Sequence, residues 1–326
     1  MPHEEHFWSA MGLRYFFIYI NNILRLRKMV LKDVVFSMGM KVKPECAPCL
    51  MRRAIFQAGL AGNGREFQVI SAVSKTFANG LSGRNSAEVA TDVHRGAYAA
   101  MGVKDPYLQL KIASDEIAER YVDVAEKEVS SSDDPLRTAL EVAALGNIMD
   151  FGSGIAIDDP NEFKGLFNSL MSQGIDADEK ALQAIDAASS VLYIFDNCGE
   201  SQMDKVLIRL LRRMGKRITG VVRGEPILND MTMVDARRTG IDKELDSILT
   251  TGVFAVGVDM KRAPKDLRDA IKNADLIISK GMANYESLSL EKLGKPIVYV
   301  LRTKCAPVAE SIGAEPGDNV VRFFEQ

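Results

Sequence analysis

The chain has 326 residues, 47% of them hydrophobic and 26% charged, with a formal net charge of -3. That length suits about two domains of ordinary globular composition with a sizeable core. The weakly acidic balance lacks the clustered Lys/Arg footprint that nucleic acid requires. Four cysteines with no evident signal peptide exclude a disulfide scaffold and fit a reducing cytoplasm.

Residues 1–40 stand apart, with the run LRYFFIYINNILRLRKMVLKDVVF. Its apolar core, Tyr15 to Ile20, is far shorter than the ~20 residues that span a membrane, and no small-residue cleavage site follows it. Three readings are open: an extension upstream of a start at Met38 or Met40, an ordered helix, or a basic helix lying on a membrane surface. A spanning segment is not expected.

Residues 41–190 read as a helical domain. CLMRRAIFQAGLAG, EFQVISAVSKTFANGL, SAEVATDVHRGAYAAMG and YLQLKIASDEIAERYVDVAEKEV repeat apolar residues at three- and four-residue spacing. Ser86 and Pro106 are start signals, Pro135 suits a first turn, and Gly152 and Gly154 end the next run. No period-two strand is evident. Asn147 and Asp150 fall three apart on one face of ALGNIMDFG, giving either an exposed stripe or a face that closes over a site. Cys46-Ala-Pro-Cys49 opens the first helix at a spacing that suits buried thiols, a redox pair or half a metal site. His94, alone on a helix, reads as structural.

Residues 191–326 alternate strand and helix. VLYIFDN, RITGVVRG, SILTTGVFAVGVD, ADLIISKG, PIVYVLRT and NVVRFFE are short β-rich runs separated by amphipathic stretches. The expectation is an α/β fold: a largely parallel sheet in a three-layer α/β/α domain, with the multihelical domain packed on it.

In such sheets ligands bind beyond the carboxyl ends of the strands. Several strand ends here carry polar groups: Asp196-Asn197, then Asn229-Asp230, Lys280-Gly281, and Arg302 with Lys304. Asp196, Asn197 and Asp230 are hard oxygen donors of the kind that bind Mg²⁺ or Mn²⁺ alongside a substrate phosphate. Lys280 would add a point charge to that phosphate, and Gly281 would let backbone N–H groups approach it. Glu200 either caps its helix or handles the attacking water. Arg223 and Glu225 read either as substrate contacts or as a surface ion pair. Cys198 and Cys305 each follow a strand-end group, so all four thiols can converge.

Taken in order, ECAPCL, ALGNIMDFG, FDNCGE, GEPILNDMT, SKGMANYE and RTKC resemble the metal-dependent damage-control phosphatases, in the stand-alone microbial branch with an N-terminal Cys-x-x-Cys. The resemblance covers about residues 40–325. It implies a metal on Asp196, Asn197 and Asp230, phosphate contacts from Ser279, Lys280 and Gly281, and Asn284 and Glu286 nearby. It also implies hydrolysis of small phosphomonoesters such as sugar phosphates or damaged phosphometabolites. Asp196, Asn197, Asp230 and Lys280 are then the catalytic set, with a metal-activated water as nucleophile and direct attack by Asp196, through an aspartyl-phosphate, as the alternative. Asn147 and Asp150 join the substrate side. Mg²⁺, Mn²⁺, Co²⁺ and Ni²⁺ all suit the ligands, and the partner is a small phosphorylated metabolite.

Two other readings stay open. One is a nucleotide-binding enzyme such as a methyltransferase, although FDNCGESQ is a poor glycine fingerprint. The other is a non-catalytic Cys-x-x-Cys metal or redox protein. Oligomeric state leaves no mark on the sequence.

Overall fold

A computed structural model describes residues 40–148 and 163–325. The helical stretch forms α1 (Cys46–Ala61), α2 (Glu66–Ala78), α3 (Ser86–Met101), α4 (Leu108–Ser131) and α5 (Pro135–Leu145), closed by a 3₁₀ turn at Gly146–Ile148. Local chemistry sets the ends. Asn85, not Ser86, caps α3, its side chain accepting from the N–H groups of Ala87 and Glu88 at 2.8 and 3.1 Å. Asp134 caps α5 ahead of Pro135. Gly102 ends α3 in the left-handed region that a helix terminus favours, at φ +70°. Asp150, Gly152 and Gly154 lie outside the described residues.

After α6 (Phe163–Met171), β1 (Asp176–Ala177) and α7 (Glu179–Ala187), strand and helix alternate: β2 (Ser190–Ile194), α8 (Glu200–Arg213), β3 (Arg217–Val222), α9 (Met233–Thr239) and β4 (Ser247–Thr250). Then come α10 (Lys265–Asn273), β5 (Leu276–Lys280), α11 (Gly281–Leu288), β6 (Ile297–Arg302), α12 (Ala306–Ile312) and β7 (Asn319–Phe324). The seven strands form one sheet in the order β1-β7-β6-β5-β2-β3-β4, parallel throughout except for β6 against β7.

Two expectations are corrected. The stretch read as wholly helical contributes β1, which pairs with β7 through Asp176 and Val320. Two residues are too few to show a period. GVFAVGVD is not strand: only Ser247–Thr250 pairs, and Gly252 and Gly257 then turn the chain at φ +81° and +68°.

Side-chain alternation explains the layers. Val191, Tyr193, Ile278, Val298 and Val300 face a core shared with α4, α5 and α8, whereas Leu192, Ile194, Ile277, Tyr299 and Leu301 face α10, α11 and α12. Both faces are therefore dry, as a parallel sheet requires. Helix α8 is wedged between the helical domain and the sheet, packing on α4, α5 and β3. The order β5-β2-β3 places neighbours on both sides of β2, so the carboxyl end of β2 is a topological switch point.

Candidate active site

At that switch point two loops are zipped together. The chain leaves β2 through Phe195 to Asp196 and Asn197; a second loop descends from Leu228 to Asp230. Asn197 and Asp230 form an isolated antiparallel bridge. Met231 N–H donates to the carbonyl of Asp196, and Cys198 N–H to that of Asn229, both at 2.8 Å. Backbone pairing thus fixes Asp196, Asn197 and Asp230 side by side, all nearly fully buried.

Arg223, at the end of β3, binds both carboxylates. Its Nη2 donates to Asp196 Oδ1 at 3.0 Å, its Nε to Asp230 Oδ2 at 2.5 Å, and its Nη1 to Asn284 Oδ1 at 2.9 Å. This guanidinium is inaccessible, so it is not the surface ion-pair partner its sequence position allowed. The helical domain reaches the same point: Asn147 Nδ2 donates to Asp196 Oδ2 at 3.2 Å and to Glu200 Oε2 at 2.7 Å. Asn197 Nδ2 bridges the same two carboxylates at 3.0 Å each. Asn147 is therefore no exposed stripe.

Lys280 departs from its expected role in phosphate contact. Its ammonium donates to Glu200 Oε1 at 2.6 Å, Asp204 Oδ1 at 2.8 Å and the carbonyl of Ala143 at 2.9 Å. An ammonium has three protons, and all three are used. Lys280 is a buried strut tying α8 and α5 to the sheet, and Glu200 is its partner. Ser279 is likewise sealed inside β5, its hydroxyl buried and without a hydrogen-bond partner. Asn284 is committed to Arg223 and to the carbonyls of Phe195 and Lys280, at 2.9 and 2.7 Å. Neither Ser279 nor Asn284 faces the cavity described below.

Gly281 has a different constraint from the one expected. It stands at φ +73°, and a Cβ there would lie 1.8 Å from Asp196 Oδ2. Only glycine lets α11 start against that carboxylate. Gly281→Ala is expected to lose about 1–2 kcal/mol from left-handed strain alone, and more from displacing Asp196. Urea unfolding without metal checks this, and wild-type stability would contradict it.

A cavity of about 120 Å³ opens onto this cluster, lined by Asp196, Asn197, Asp230, Met282, Ala283 and Glu286. Its other walls come from α1, α3 and α12 and include Cys46, Cys49, Arg53, His94 and Cys305. Cys198 does not join them. It is buried beside Asp115, Lys111, Asp235 and Arg238, and burial holds its thiol well above the ordinary range. Burial also raises Cys46 and pushes Cys305 up to about 12. A larger groove of about 400 Å³ runs past Arg84, Glu88, Asp92 and Lys261. Its charges neutralise one another, Arg84 with Asp92 at 2.6 Å and Lys261 with Glu88 at 2.7 Å.

Electrostatics separate the two places. Burial, then Asp230 and Glu200, hold the Asp196 carboxyl well above the usual carboxylate range, against the pull of Arg223 and Lys304. Four buried acids, Asp196, Asp230, Glu200 and Asp204, face three cations, Arg223, Lys280 and Lys304. Asn147 Oδ1 is in addition a buried acceptor with no donor. Two carboxylates and a carboxamide are hard oxygen donors that fit a divalent cation, whose charge would favour the ionised Asp196 that burial disfavours.

Asp204 supplies a pH test. Burial pushes its carboxyl up to about 7, against the pull of Lys280. The folded state keeps a proton that the unfolded chain releases near pH 4, so stability falls as pH rises through 7. Metal-free wild type is expected to lose urea resistance from pH 5 to 8 more steeply than Asp204→Asn. Parallel curves would contradict this.

Fold and site together define an α/β/α protein with an acid- and amide-lined cleft at its sheet's switch point, covered by a helical domain. Residues 42–320 match the damage-control phosphatase ARMT1-like domain, and the chain belongs to that family. It is 37% identical to a damage-control phosphatase of Archaeoglobus fulgidus over 290 residues, 88% of this chain and 100% of that one. A damage-control phosphatase of Pyrococcus horikoshii is 32% identical over 223 residues, 68% of this chain and 75% of the relative. The crystal structure of a DUF89 family protein from Pyrococcus horikoshii superposes with a TM-score of 0.75 at 26% identity, covering 86% of this chain and 98% of the other.

Proposed function

We propose that the protein is a metal-dependent phosphatase of small phosphomonoesters. The observation that carries this reading is the convergence of Asp196, Asn197 and Asp230, on two zipped loops, at one wall of a small cavity. These three residues would hold Mg²⁺, Mn²⁺, Co²⁺ or Ni²⁺. A divalent cation there supplies neutralisation of phosphoryl charge and a more acidic attacking water.

The chain's own residues do the rest. Arg223 holds one oxygen of each carboxylate. Asn147 and Asn197 fix Asp196 and Glu200 relative to each other. The first turn of α11 begins against Asp196, and Met282 and Ala283 line the cavity. First-turn N–H groups lack intrahelical partners and suit an anion, so this turn is our candidate phosphate cradle. Phosphoryl transfer to water then depends on positioning and charge more than on covalent chemistry.

A cavity of about 120 Å³ is small beside the ~300–1,000 Å³ of drug-sized sites, so the substrate is a compact phosphorylated metabolite, met in the cytoplasm. Among the described residues no helix is long and apolar enough to cross a membrane. The test is phosphate release by metal-stripped protein from a phosphomonoester panel, with each of the four metals restored in turn. Release that requires metal supports the reading; folded protein inert with every metal and substrate contradicts it.

A further inference from the structure

Each of the two zipped loops contains one residue with positive φ. Gly199, two residues past Asn197, has φ +79°; Leu228, two residues before Asp230, has φ +52° and is the one non-glycine residue with positive φ among the described residues. Such a conformation is uncommon for a bulky side chain and persists only where its surroundings impose it.

In both cases the backbone N–H of the positive-φ residue is held by a side chain from the helical domain. Gly199 N–H donates to Asp115 Oδ1 of α4 at 2.6 Å, and Leu228 N–H donates to Tyr98 Oη of α3 at 2.9 Å. Both acceptors are themselves fixed. Arg238 Nη1 donates to Asp115 Oδ2 at 2.7 Å. The Tyr98 ring stands edge-on to Phe254, with centroids 5.3 Å apart. The two contacts grip the ends of one unit, because Asn197 bridges Asp230 between them.

We propose that the helical domain is the template for the metal-binding loops, with Tyr98 and Asp115 as positioning residues that hold Leu228 and Gly199 in their positive-φ turns. This rests on the metal-site reading of Asp196, Asn197 and Asp230. Neither side chain lines the cavity, so both act through the backbone. A carboxylate or hydroxyl that orients a metal-bearing group commonly changes metal affinity by ~10–100-fold when removed.

The experiment compares wild type, Tyr98→Phe and Asp115→Ala, all metal-stripped and without substrate. Amide hydrogen exchange reads the two N–H groups, and calorimetry with Mn²⁺ reads affinity. In Tyr98→Phe, protection at Leu228 is expected to fall at least ~10-fold while distant core amides keep theirs, and Mn²⁺ affinity to fall ~10-fold. Asp115→Ala should do the same at Gly199. Should the latter fail to fold, Tyr98→Phe alone decides. Adding Leu228→Asn, a residue that tolerates left-handed backbone, should shrink the affinity loss caused by Tyr98→Phe. A purely structural tyrosine would give additive losses instead.

Unchanged protection at Leu228, or Mn²⁺ affinity within about twofold of wild type, overturns the proposal. Because exchange is read without metal or substrate, it remains decisive even for a protein that hydrolyses no phosphoester.

Discussion

Arg223→Met is expected to destabilise the metal-free protein by about 3–5 kcal/mol, the usual cost of leaving buried charge without its partner. Arg223 bridges Asp196 and Asp230 and is fully buried. Methionine fills much of the volume but none of the charge, so two carboxylates would face each other unscreened. Under the proposed metal site, saturating Mn²⁺ would restore positive charge at the same carboxylates, and it is expected to stabilise the variant more than wild type. At one hundred times Kd, binding alone contributes about 2.7 kcal/mol. Urea unfolding in chelator and in excess Mn²⁺ measures both terms. An equal deficit in the two conditions would mean that Arg223 is packing and not the counter-ion of the metal site.

Asp196→Asn should remove turnover while the protein still folds with reduced stability. The carboxamide oxygen can still accept from Arg223, and the carbonyl that Met231 bonds is backbone, but the new NH2 meets the Asn147 and Asn197 amides that donate to Oδ2. One formal charge is lost from the donor set proposed for the cation. Loss of several kcal/mol of charge stabilisation corresponds to roughly a thousandfold or more in kcat/KM, at 1.4 kcal/mol per tenfold. Phosphate release by the purified variant, with circular dichroism as the check on folding, gives the answer. Wild-type turnover in folded Asp196→Asn would remove Asp196 from the mechanism.

The strand-ending polar groups were legible because a parallel sheet buried on both faces confines them to its edges. Continuous runs such as VLYIF and LIIS could only be central strands, and the polar residues just past VLYIF had to lie at the carboxyl edge. What the residues could not disclose was direction. Lys280 stands beside Gly281 in the chain, yet its ammonium turns to Glu200 and Asp204, 80 and 76 positions away. Arg223 read either as a substrate contact or as half of an ion pair with Glu225, and its partners proved to be Asp196 and Asp230.

Tyr98 and Asp115 gave no local signal, since a tyrosine and an aspartate at the edge of an amphipathic helix are ordinary boundary residues. Their proposed role shows only where the N–H of a positive-φ residue far along the chain meets them. The GVFAVGVD run misled because its apolar residues pack as a loop. Gly257 sits against Ala283 and Ser287 of α11, and Thr91 of α3 accepts from Val256 N–H at 2.9 Å.

The most direct measurement is calorimetric titration of metal-stripped protein with Mn²⁺, for wild type, Asp196→Asn and Asp230→Asn. One ion per wild-type chain, with binding lost in both variants, is the predicted result. Equal binding by all three folded proteins would show that Asp196 and Asp230 do not hold the metal.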